Sequence, residues 1–274
     1  VALTGDGGDE VFCGYNRYDF IANHWPTIEK IPYPVRKFIS NHLSGLNLRG
    51  ITKFSDLLPT KLHSGRLDTK IKKIALVLRC TSVEEVYNTL TTLWADPADI
   101  VLLDEAFKIS FDDVMLRSDG LDNVEKMMFW DTLGYLPDDI LHKVDRASMG
   151  ISLEVRSPFL DKDVIALAAR LPTKMKVRDG KGKWALRQVL YKYVPSEIID
   201  RPKEGFTVPI GIWLRGPLRD WVEDLLATKR LEKDGLFKPK IIRKIWTEHL
   251  SGKKDWSSPL WTILMFQAWN AAQK

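Results

Sequence analysis

The stretch that decides the fold prediction is Thr4-Gly5-Asp6-Gly7-Gly8-Asp9-Glu10, which follows the short apolar run Val1-Ala2-Leu3. A strand, a glycine-rich turn and a helix in this order usually hold phosphate, because glycines let backbone N–H groups approach an oxyanion and the helix N-terminus adds positive potential. Acidic side chains suit such a turn only if a metal ion lies between them and the phosphate. The pattern therefore indicates a metal–nucleotide complex, with Asp6 and Asp9 as hard oxygen ligands suited to Mg²⁺.

A structural interpretation of the same turn is a plain chain reversal in which Asp9 caps the helix behind it. For an isolated GxGG pattern this interpretation is the commoner one. The turn is not a Rossmann fingerprint, because Glu10 stands where the third glycine belongs, and no Gly-Lys-Ser/Thr of a P-loop follows. Its function has to be supported by other parts of the chain.

Composition limits the class of protein. The 274 residues suffice for one large domain or two small ones. No run approaches the roughly 20 apolar residues of a membrane span, and no signal peptide is visible. A net charge of +5 does not demand nucleic acid, and the basic clusters Lys70–Lys73 and Lys174–Lys183 are interpreted as solvated faces. Cys13 and Cys80 match no metal spacing or disulfide framework, so a cytoplasmic protein without membrane or nucleic-acid partners is predicted.

The hydrophobic periodicity predicts helices along most of the chain and only short strands behind the first three residues. The helices are predicted over 9–24, 35–43, 64–79, from 82 onward, and over 123–136, 164–171, 183–193, 213–227, 239–250 and 258–272. The predicted fold class is therefore mainly α, with a strand–turn–helix piece of an α/β core in front.

A second charged stretch is Leu136-Pro137-Asp138-Asp139-Ile140-Leu141-His142-Lys143-Val144-Asp145-Arg146-Ala147-Ser148-Met149. Helical spacing places Asp139 and Lys143 on one face as an i,i+4 pair. The apolar residues between the charges predict a buried helix, and charges on a buried helix need partners or a ligand. An exposed helix with surface ion pairs, which are worth little energy, is the equally open alternative.

Two shorter stretches follow. In Leu153-Glu154-Val155-Arg156-Ser157-Pro158-Phe159-Leu160-Asp161 the charged residues alternate with apolar ones, as in an extended segment, and a structural ion pair between Glu154 and Arg156 is the plain alternative. In Arg201-Pro202-Lys203-Glu204-Gly205-Phe206-Thr207-Val208-Pro209, Lys203 lies on a glycine-containing loop between two prolines. Such a lysine can close over phosphates as a mobile point charge, although a solvent-exposed lysine is the commoner case.

Together, "TGDGGDEVFCGY", "YLPDDILHKVDRASM", "LEVRSPFLD" and "RPKEGF" resemble, in order and spacing, the synthetase domain of glutamine-hydrolysing asparagine synthetases. The likeness runs to about residue 220, and similar enzymes include sugar amidotransferases of surface polysaccharide clusters and β-lactam synthetases. The resemblance implies an ATP-pyrophosphatase (adenine-nucleotide alpha-hydrolase-like) α/β fold. It also implies that ATP activates the aspartate β-carboxylate as β-aspartyl-AMP, and that ammonia from a separate glutaminase domain then attacks it.

The resemblance also implies roles for individual residues. Asp9 matches the family's Mg²⁺ ligand. Lys203 and Lys143 face the phosphates and the reacting groups, where a cation stabilises the charge that adenylation builds. Asp6 lies near the carboxylate being activated and is a candidate base for the attacking amine. The residues expected to line the nucleotide site are Gly5, Gly7, Gly8, Tyr15, Asp139, Asp145, Arg146, Glu154, Arg156 and Gly205.

The sequence departs from the family in two ways. It contains neither the N-terminal cysteine of the glutaminase domain nor the Ser-Gly-Gly-x-Asp-Ser pyrophosphate loop. The chain thus resembles a C-terminal fragment of the synthetase domain, in which 1–25 are a remnant of the ATP-binding core, 26–274 are mostly helical and most of the parallel sheet is missing. We expect the chain alone to be inactive. We also expect its opening strand, an apolar edge, to be disordered or to pair with a second copy in a homodimer.

Two further functions remain open from the sequence. One keeps the adenylation chemistry but amidates another carboxylate, such as a uronic acid in surface polysaccharide synthesis. The other is a non-catalytic helical module that only binds partners or nucleotide. The C-terminal tryptophans Trp246, Trp256, Trp261 and Trp269 are predicted to belong to the core rather than to a ligand site.

Overall fold

The computed structural model describes residues 1–45, 66–94, 97–102, 117–200 and 208–273. Helices predominate among them, which confirms the mainly α prediction. The chain forms two compact units, one comprising Val1–Thr91 with Ile109–Arg201 and the other Thr92–Lys108 with Pro202–Lys274. Within the described residues, no helix combines the length and the apolar character that a bilayer crossing requires.

Within the described residues, the first unit contains four short strands and most of the helices. Its strands are β1 (Ala2–Leu3), β2 (Val155–Arg156), β3 (Val177–Arg178) and β4 (Lys181–Gly182). Its described α-helices are α1 (Gly8–Val11), α2 (Asn16–Asn23), α3 (Trp25–Glu29), α4 (Tyr33–Gly45), α5 (Arg66–Val77), α6 (Val83–Thr91), α7 (Asn123–Leu133), α8 (His142–Met149), α9 (Lys162–Arg170), α10 (Thr173–Lys176), α11 (Trp184–Leu190) and α12 (Ser196–Ile199). A π-helical turn, Leu136–Leu141, connects α7 to α8, and a 3₁₀ turn, Pro158–Leu160, follows β2.

The helix predicted over 9–24 is wrong, because the chain stops after one turn and restarts as α2. Cys13 adopts a left-handed conformation with φ 63°, and the Gly14 N–H donates to the Asp9 carbonyl over 2.7 Å. This is the hydrogen bond of a Schellman helix end. The N-cap of α1 is Gly7, without a side-chain cap, so the predicted capping role of Asp9 is also wrong.

The opening strand is ordered and paired within the chain, so the prediction of disorder is wrong, while the alternative of pairing with a second copy stays a prediction. β1 lies parallel to β2, with Ala2 opposite Val155. The Ala2 N–H donates to the Glu154 carbonyl over 2.8 Å, and the Thr4 N–H donates to the Arg156 carbonyl over 2.9 Å. The neighbour that the sequence left unidentified is thus supplied by the third motif, about 150 residues further along the chain.

Of the two alternatives left open for the second stretch, a buried helix and an exposed one, the structure shows the exposed helix. The helix α8 carries no buried residue, and Met149, its last residue, remains 53% exposed. The apolar face of α7, upstream, is the buried one, with Met127 and Trp130 fully enclosed. Of the second stretch, Leu136 in the π-helical turn is therefore buried, whereas the apolar residues of α8 lie on an exposed helix.

A β-hairpin that the sequence analysis did not predict precedes α11. β3 and β4 pair antiparallel with Val177 opposite Gly182, and the turn between them is Asp179-Gly180 with φ angles of 52° and 72°. Positive φ at both central residues is the geometry of the tight hairpin turns that favour Asp-Gly. The hairpin ends directly before Lys183, at the start of α11.

The described residues of the first unit form two separate apolar clusters. The larger encloses Trp25, Trp130 and Tyr18 between α2, α3, α6 and α7. The smaller packs Val11 and Phe12 of the acidic turn region against Ala168 of α9. The acidic glycine turn is therefore anchored to the apolar interior by the residues that follow it directly.

The second unit is helical around its own core. Its described α-helices are α13 (Ile210–Arg215), α14 (Arg219–Leu225), α15 (Thr228–Asp234), α16 (Pro239–Leu250) and α17 (Ser257–Ala272). Trp246 is fully buried, and Trp256 and Trp261 pack against the core as predicted. Trp269 is 59% exposed, so the core prediction is wrong for this tryptophan, which lies near the end of α17.

A buried histidine in the second unit predicts a pH-dependent stability. The side chain of His249 is fully buried, its Nδ1 accepts the Trp256 N–H over 3.1 Å, and its Nε2 is buried without a hydrogen-bond partner among the described residues. Burial, and then the charge of Arg215, lower the pKa of His249. The stability that the neutral ring contributes is complete above the unfolded-state pKa of about 6.5 and is lost as the pH falls toward the folded-state pKa.

We therefore expect the urea midpoint of this unit to fall between pH 7.5 and pH 5.5. The variant His249→Gln, whose amide oxygen can accept the same N–H, should show a flatter pH profile. The exposed His142→Gln is the control and should retain the wild-type slope. An equal dependence of the urea midpoint on pH in all three proteins would contradict the assignment of this dependence to His249.

Candidate active site

The structure brings the first and third stretches together. The 3₁₀ turn Pro158–Leu160 packs on the glycine turn so closely that a Cβ on Gly7 would lie 2.3 Å from Leu160 Cδ2, and one on Gly8 would lie 3.0 Å from Phe159 Cδ2. Gly7 also has a φ of 81°, which other residues rarely adopt. The backbone conformation of Gly7 thus favours glycine, and both glycines lie in close contact with the 3₁₀ turn.

Gly5 differs from these two glycines. A Cβ at Gly5 would meet no atom of the described residues within 4 Å, and the residue is exposed. Packing in the described part of the chain therefore does not explain a glycine here. Of the three glycines, Gly5 is the one that leaves open space for a ligand.

The acids of the turn have defined partners. The hydroxyl of Thr4 donates to Asp6 Oδ2 over 2.6 Å, which orients that carboxylate. Asp9 Oδ1 lies 3.1 Å from the ammonium of Lys183, and both side chains are only about a third exposed, at 28% and 31%. Lys183 was placed on a solvated face by the sequence analysis, and the structure instead places it against the acidic turn.

Two backbone segments approach closely to place this lysine. The Lys183 N–H donates to the Phe12 carbonyl over 3.1 Å. A Cβ on Gly182 would lie 2.2 Å from the Cys13 carbonyl oxygen, and one on Gly14 would lie 2.0 Å from Asp9 Oδ1. The glycines thus allow the β3–β4 hairpin to lie directly on the chain reversal behind α1. The sequence signal that could have indicated this contact is the Asp179-Gly180 hairpin turn.

Tyr15 links the first stretch to the second. Its hydroxyl donates to Glu10 Oε1 over 2.5 Å, and its ring lies edge-on to that of Tyr135, with centroids 5.9 Å apart. Burial raises the pKa of Glu10 and of Tyr15. The Tyr15 hydroxyl, predicted to face nucleotide, is thus engaged with a buried carboxyl group in this structure.

A buried carboxylate that the sequence analysis missed lies beneath this pair. Asp131 of α7 is fully buried and accepts from Arg17 Nε over 2.8 Å, from the Tyr87 hydroxyl over 2.9 Å and from the Tyr18 hydroxyl. The guanidinium carbon of Arg17 in turn lies 4.0 Å from the centroid of the Tyr15 ring, a cation–π contact. The sequence signal that could have indicated this buried carboxylate is a single acidic residue, Asp131, on the apolar face of the helix predicted over 123–136.

The charged residues of the second stretch have local partners. Asp145 forms an ion pair with the adjacent Arg146, and Lys143 is exposed. Burial first, and then the Asp139 carboxylate, raise the pKa of Tyr135. Among the ion pairs of the described ranges, none joins Asp139 to Lys143 as the helical spacing had suggested.

Glu154 directly precedes β2 and Arg156 is its second residue, so the two side chains lie on the same face of the extended segment. Their ion pair is 2.8 Å long, and both side chains are more than half exposed, at 55% and 69%. This is the contact that the structural interpretation expected, although it leaves the proposed nucleotide role untested. The remaining predicted residues, Lys203 and Gly205, lie outside the described residues.

The donor set can be compared with the requirements of Mg²⁺. Within the described residues, no three His, Cys, Asp or Glu side chains converge as a metal-binding group. A Mg²⁺ ion that accompanies a nucleotide usually needs only one or two carboxylates, since phosphates and water fill its other positions. The partly exposed carboxylate of Asp9 fits that requirement.

These observations define a mainly α protein in which a parallel strand pair leads into an acidic glycine turn. Comparison with known families identifies it further: the asparagine synthase family model matches residues 1–271, and the chain belongs to that family. No solved structure matches the chain at a significant level.

Curated relatives match nearly the whole chain. "Asparagine synthetase [glutamine-hydrolyzing] 1" of Bacillus subtilis is 29% identical over 276 residues, which cover 99% of this chain and 40% of the relative. A "Putative asparagine synthetase [glutamine-hydrolyzing]" of Mycobacterium tuberculosis is 33% identical, covering 99% and 39%. "Amidase chyE" of Penicillium rubens is 23% identical over 86% of the chain. The chain thus spans about two fifths of the length of the first two relatives.

Proposed function

We propose that the protein carrying this chain amidates aspartate to asparagine, using ATP to activate the β-carboxylate and ammonia released from glutamine by a separate domain. The family match over 1–271 and the names of the relatives support this reaction. The single structural observation that carries it is the acidic turn itself, because open space at Gly5 lies beside two oriented carboxylates, Asp6 and Asp9.

The turn suits the activation step. Asp9 would hold Mg²⁺, which when bound neutralises the charge that develops on the phosphoryl oxygens. Gly5 leaves room for the nucleotide at the end of β1. Lys203 and Lys143 are proposed as the cations that meet the phosphates. Gly7 and Gly8 are proposed to act through the shape of the turn, since their hydrogens face Leu160 and Phe159.

The second step needs a proton acceptor. Ammonia that attacks an acyl adenylate carries a proton that must leave as the amide forms, and AMP departs with its bonding electrons. Asp6 is proposed as the acceptor. The hydrogen bond from Thr4 holds its carboxylate in one orientation, as an acceptor aimed at a fixed position requires.

The roles of the remaining predicted site residues are proposed from the family resemblance. Tyr15, Asp139, Asp145, Arg146, Glu154, Arg156 and Gly205 are proposed to line or support the site. We further propose an ATP-pyrophosphatase fold, in which 1–25 belong to the ATP-binding core and 26–274 form its helical part. The pyrophosphate loop and the glutaminase domain of the family are proposed to come from sequence outside these 274 residues.

Aspartate-dependent exchange between ATP and labelled pyrophosphate tests the proposal. We expect exchange by the protein as its gene encodes it, with Mg²⁺ present, and none by the 274-residue chain alone. Glutamate and a uronic acid in place of aspartate are the matched controls and should not support exchange. Exchange with the uronic acid alone would contradict the proposed acceptor, and no exchange with any acid would contradict the activation chemistry.

A further inference from the structure

The ammonium group of Lys183 lies at the acidic turn. The ammonium of Lys183 is 3.1 Å from Asp9 Oδ1, and the two side chains lie on the face of the turn that Gly14 leaves without a Cβ. Asp9 is the residue proposed to hold Mg²⁺. The ammonium therefore occupies the position from which a divalent cation would neutralise the same carboxylate.

The backbone of Lys183 is held while its side chain is not. Its φ is 56°, a left-handed conformation that is unfavourable for a lysine and persists only where the surroundings impose it. The surroundings here are the N–H bond to the Phe12 carbonyl and the close approach of Gly182 to Cys13. The flexible four-carbon stem, by contrast, can change its partner without moving these backbone contacts.

The stability gained from the Asp9–Lys183 ion pair alone does not explain why Lys183 is held in a left-handed backbone conformation. A partly exposed lysine–carboxylate pair contributes little to stability, so exchanging its partner costs little. The polyphosphate of a nucleotide carries more negative charge than one carboxylate and accepts hydrogen bonds from an ammonium more strongly than a neutral group does. The ammonium thus has a stronger partner whenever such an anion lies beside the turn.

We propose that Lys183 is a further residue of the nucleotide site, which neutralises Asp9 while the site is empty and binds the polyphosphate once Asp9 holds Mg²⁺. The inference rests on the proposed function, since it presumes that the turn binds a magnesium nucleotide. Lys183 thus has two partners in turn. While it pairs with Asp9 it competes with Mg²⁺ for that carboxylate, and when it pairs with the polyphosphate it strengthens the binding of the nucleotide.

The two partners can be separated by two binding measurements on the protein as its gene encodes it. The first is the affinity for Mg²⁺–ATP without aspartate, by calorimetry, and the second is the affinity for Mn²⁺ alone, by electron paramagnetic resonance. For Lys183→Met we expect Mg²⁺–ATP to bind about tenfold more weakly, which is the loss of one charge-assisted contact. Mn²⁺ alone should bind severalfold more tightly, because its competitor on Asp9 is gone.

Matched variants control for charge and folding. Lys162→Met removes a lysine that is 88% exposed in the same unit and should change neither affinity. Lys183→Arg keeps the charge and should keep most of the nucleotide affinity. If Lys183→Met does not fold, as judged by circular dichroism, Lys183→Gln replaces it in both measurements.

The outcomes distinguish this inference from the proposed function. Failure of the wild-type protein to bind Mg²⁺–ATP would overturn both. Nucleotide binding by the wild type with unchanged nucleotide affinity in Lys183→Met would overturn the inference alone. So would a loss of both affinities, because a lysine that only maintains the structure of the turn weakens both ligands together.

Discussion

Replacing Asp131 with alanine is expected to lower the free energy of unfolding of the first unit by about 3–5 kcal/mol. The carboxylate is fully buried and holds Arg17, Tyr18 and Tyr87. Its removal leaves the Arg17 guanidinium, whose side chain is only 20% exposed, without its counter-charge, and uncompensated buried charge is the most costly result of breaking such a pair. Burial, and then the Asp131 charge, raise the pKa of Tyr87 and Tyr18, so both hydroxyls keep their protons and act as donors to the carboxylate in the folded protein.

Urea unfolding followed by circular dichroism measures this effect. Tyr87→Phe removes one hydrogen bond and should cost about 1 kcal/mol, which makes the series graded. Asp163→Ala removes a carboxylate that is 82% exposed beside Lys162 and should cost less than about 1 kcal/mol. If Asp131→Ala cost no more than Asp163→Ala, the buried network would not hold the unit together.

The position of Asp131 also connects stability to the site. Arg17 stacks on Tyr15, and Tyr15 holds Glu10, the residue next to Asp9. The loss of stability in Asp131→Ala should therefore be accompanied by a loss of order at the acidic turn. The network under the turn is a support for the proposed site rather than a part of its chemistry.

Replacing Asp9 with asparagine is expected to slow aspartate-dependent pyrophosphate exchange by about a hundredfold or more, since a metal contributes several kcal/mol of charge stabilisation. The substitution keeps an oxygen of the same reach but removes the negative charge that a hard divalent cation requires. It also leaves the Lys183 ammonium without this counter-ion. Exchange is measured with labelled pyrophosphate in the protein as its gene encodes it.

A readout besides activity separates metal binding from general damage. The concentration of Mg²⁺ that gives half-maximal ATP binding should rise in Asp9→Asn, while the melting temperature changes little because the Asp9–Lys183 pair is partly exposed. Asp163→Asn, which replaces a carboxylate that is 82% exposed and paired only with Lys162 in this structure, should behave as wild type. Unchanged exchange and an unchanged Mg²⁺ requirement in Asp9→Asn would exclude Asp9 as the metal ligand.

Several local features could be predicted from the sequence because they depend on residues close together in the chain. Asp161 caps α9 by accepting the Asp163 N–H over 2.8 Å, a contact between residues two positions apart ahead of the helix predicted over 164–171. The boundaries of α16, Pro239–Leu250, were predicted correctly from periodicity and the leading proline. The extended segment around Val155 was also predicted, and it is a strand in the structure.

Features that depend on distant residues could not be predicted. The end of α1 is set by the close approach of the β3–β4 hairpin, with Gly182 against the Cys13 carbonyl, and no pattern near Cys13 indicates it. The exposure of α8 likewise depends on what packs against it, since its apolar residues have a spacing that suits a buried helix as well. Periodicity reports which face of a helix is apolar and does not report whether that face is covered.

By itself, the sequence determined the mainly α class, the strand–turn–helix opening and the family to which the four motifs point. These follow from local propensity, turn chemistry and the order of residues, which are properties of the chain alone. Only the tertiary structure decided that β1 pairs with β2, that Asp131 is buried under Tyr15 and that Lys183 lies on Asp9. The physical reason is that each of these contacts joins residues more than 100 positions apart, and their energy comes from burial and charge pairing that arise only when the chain has folded.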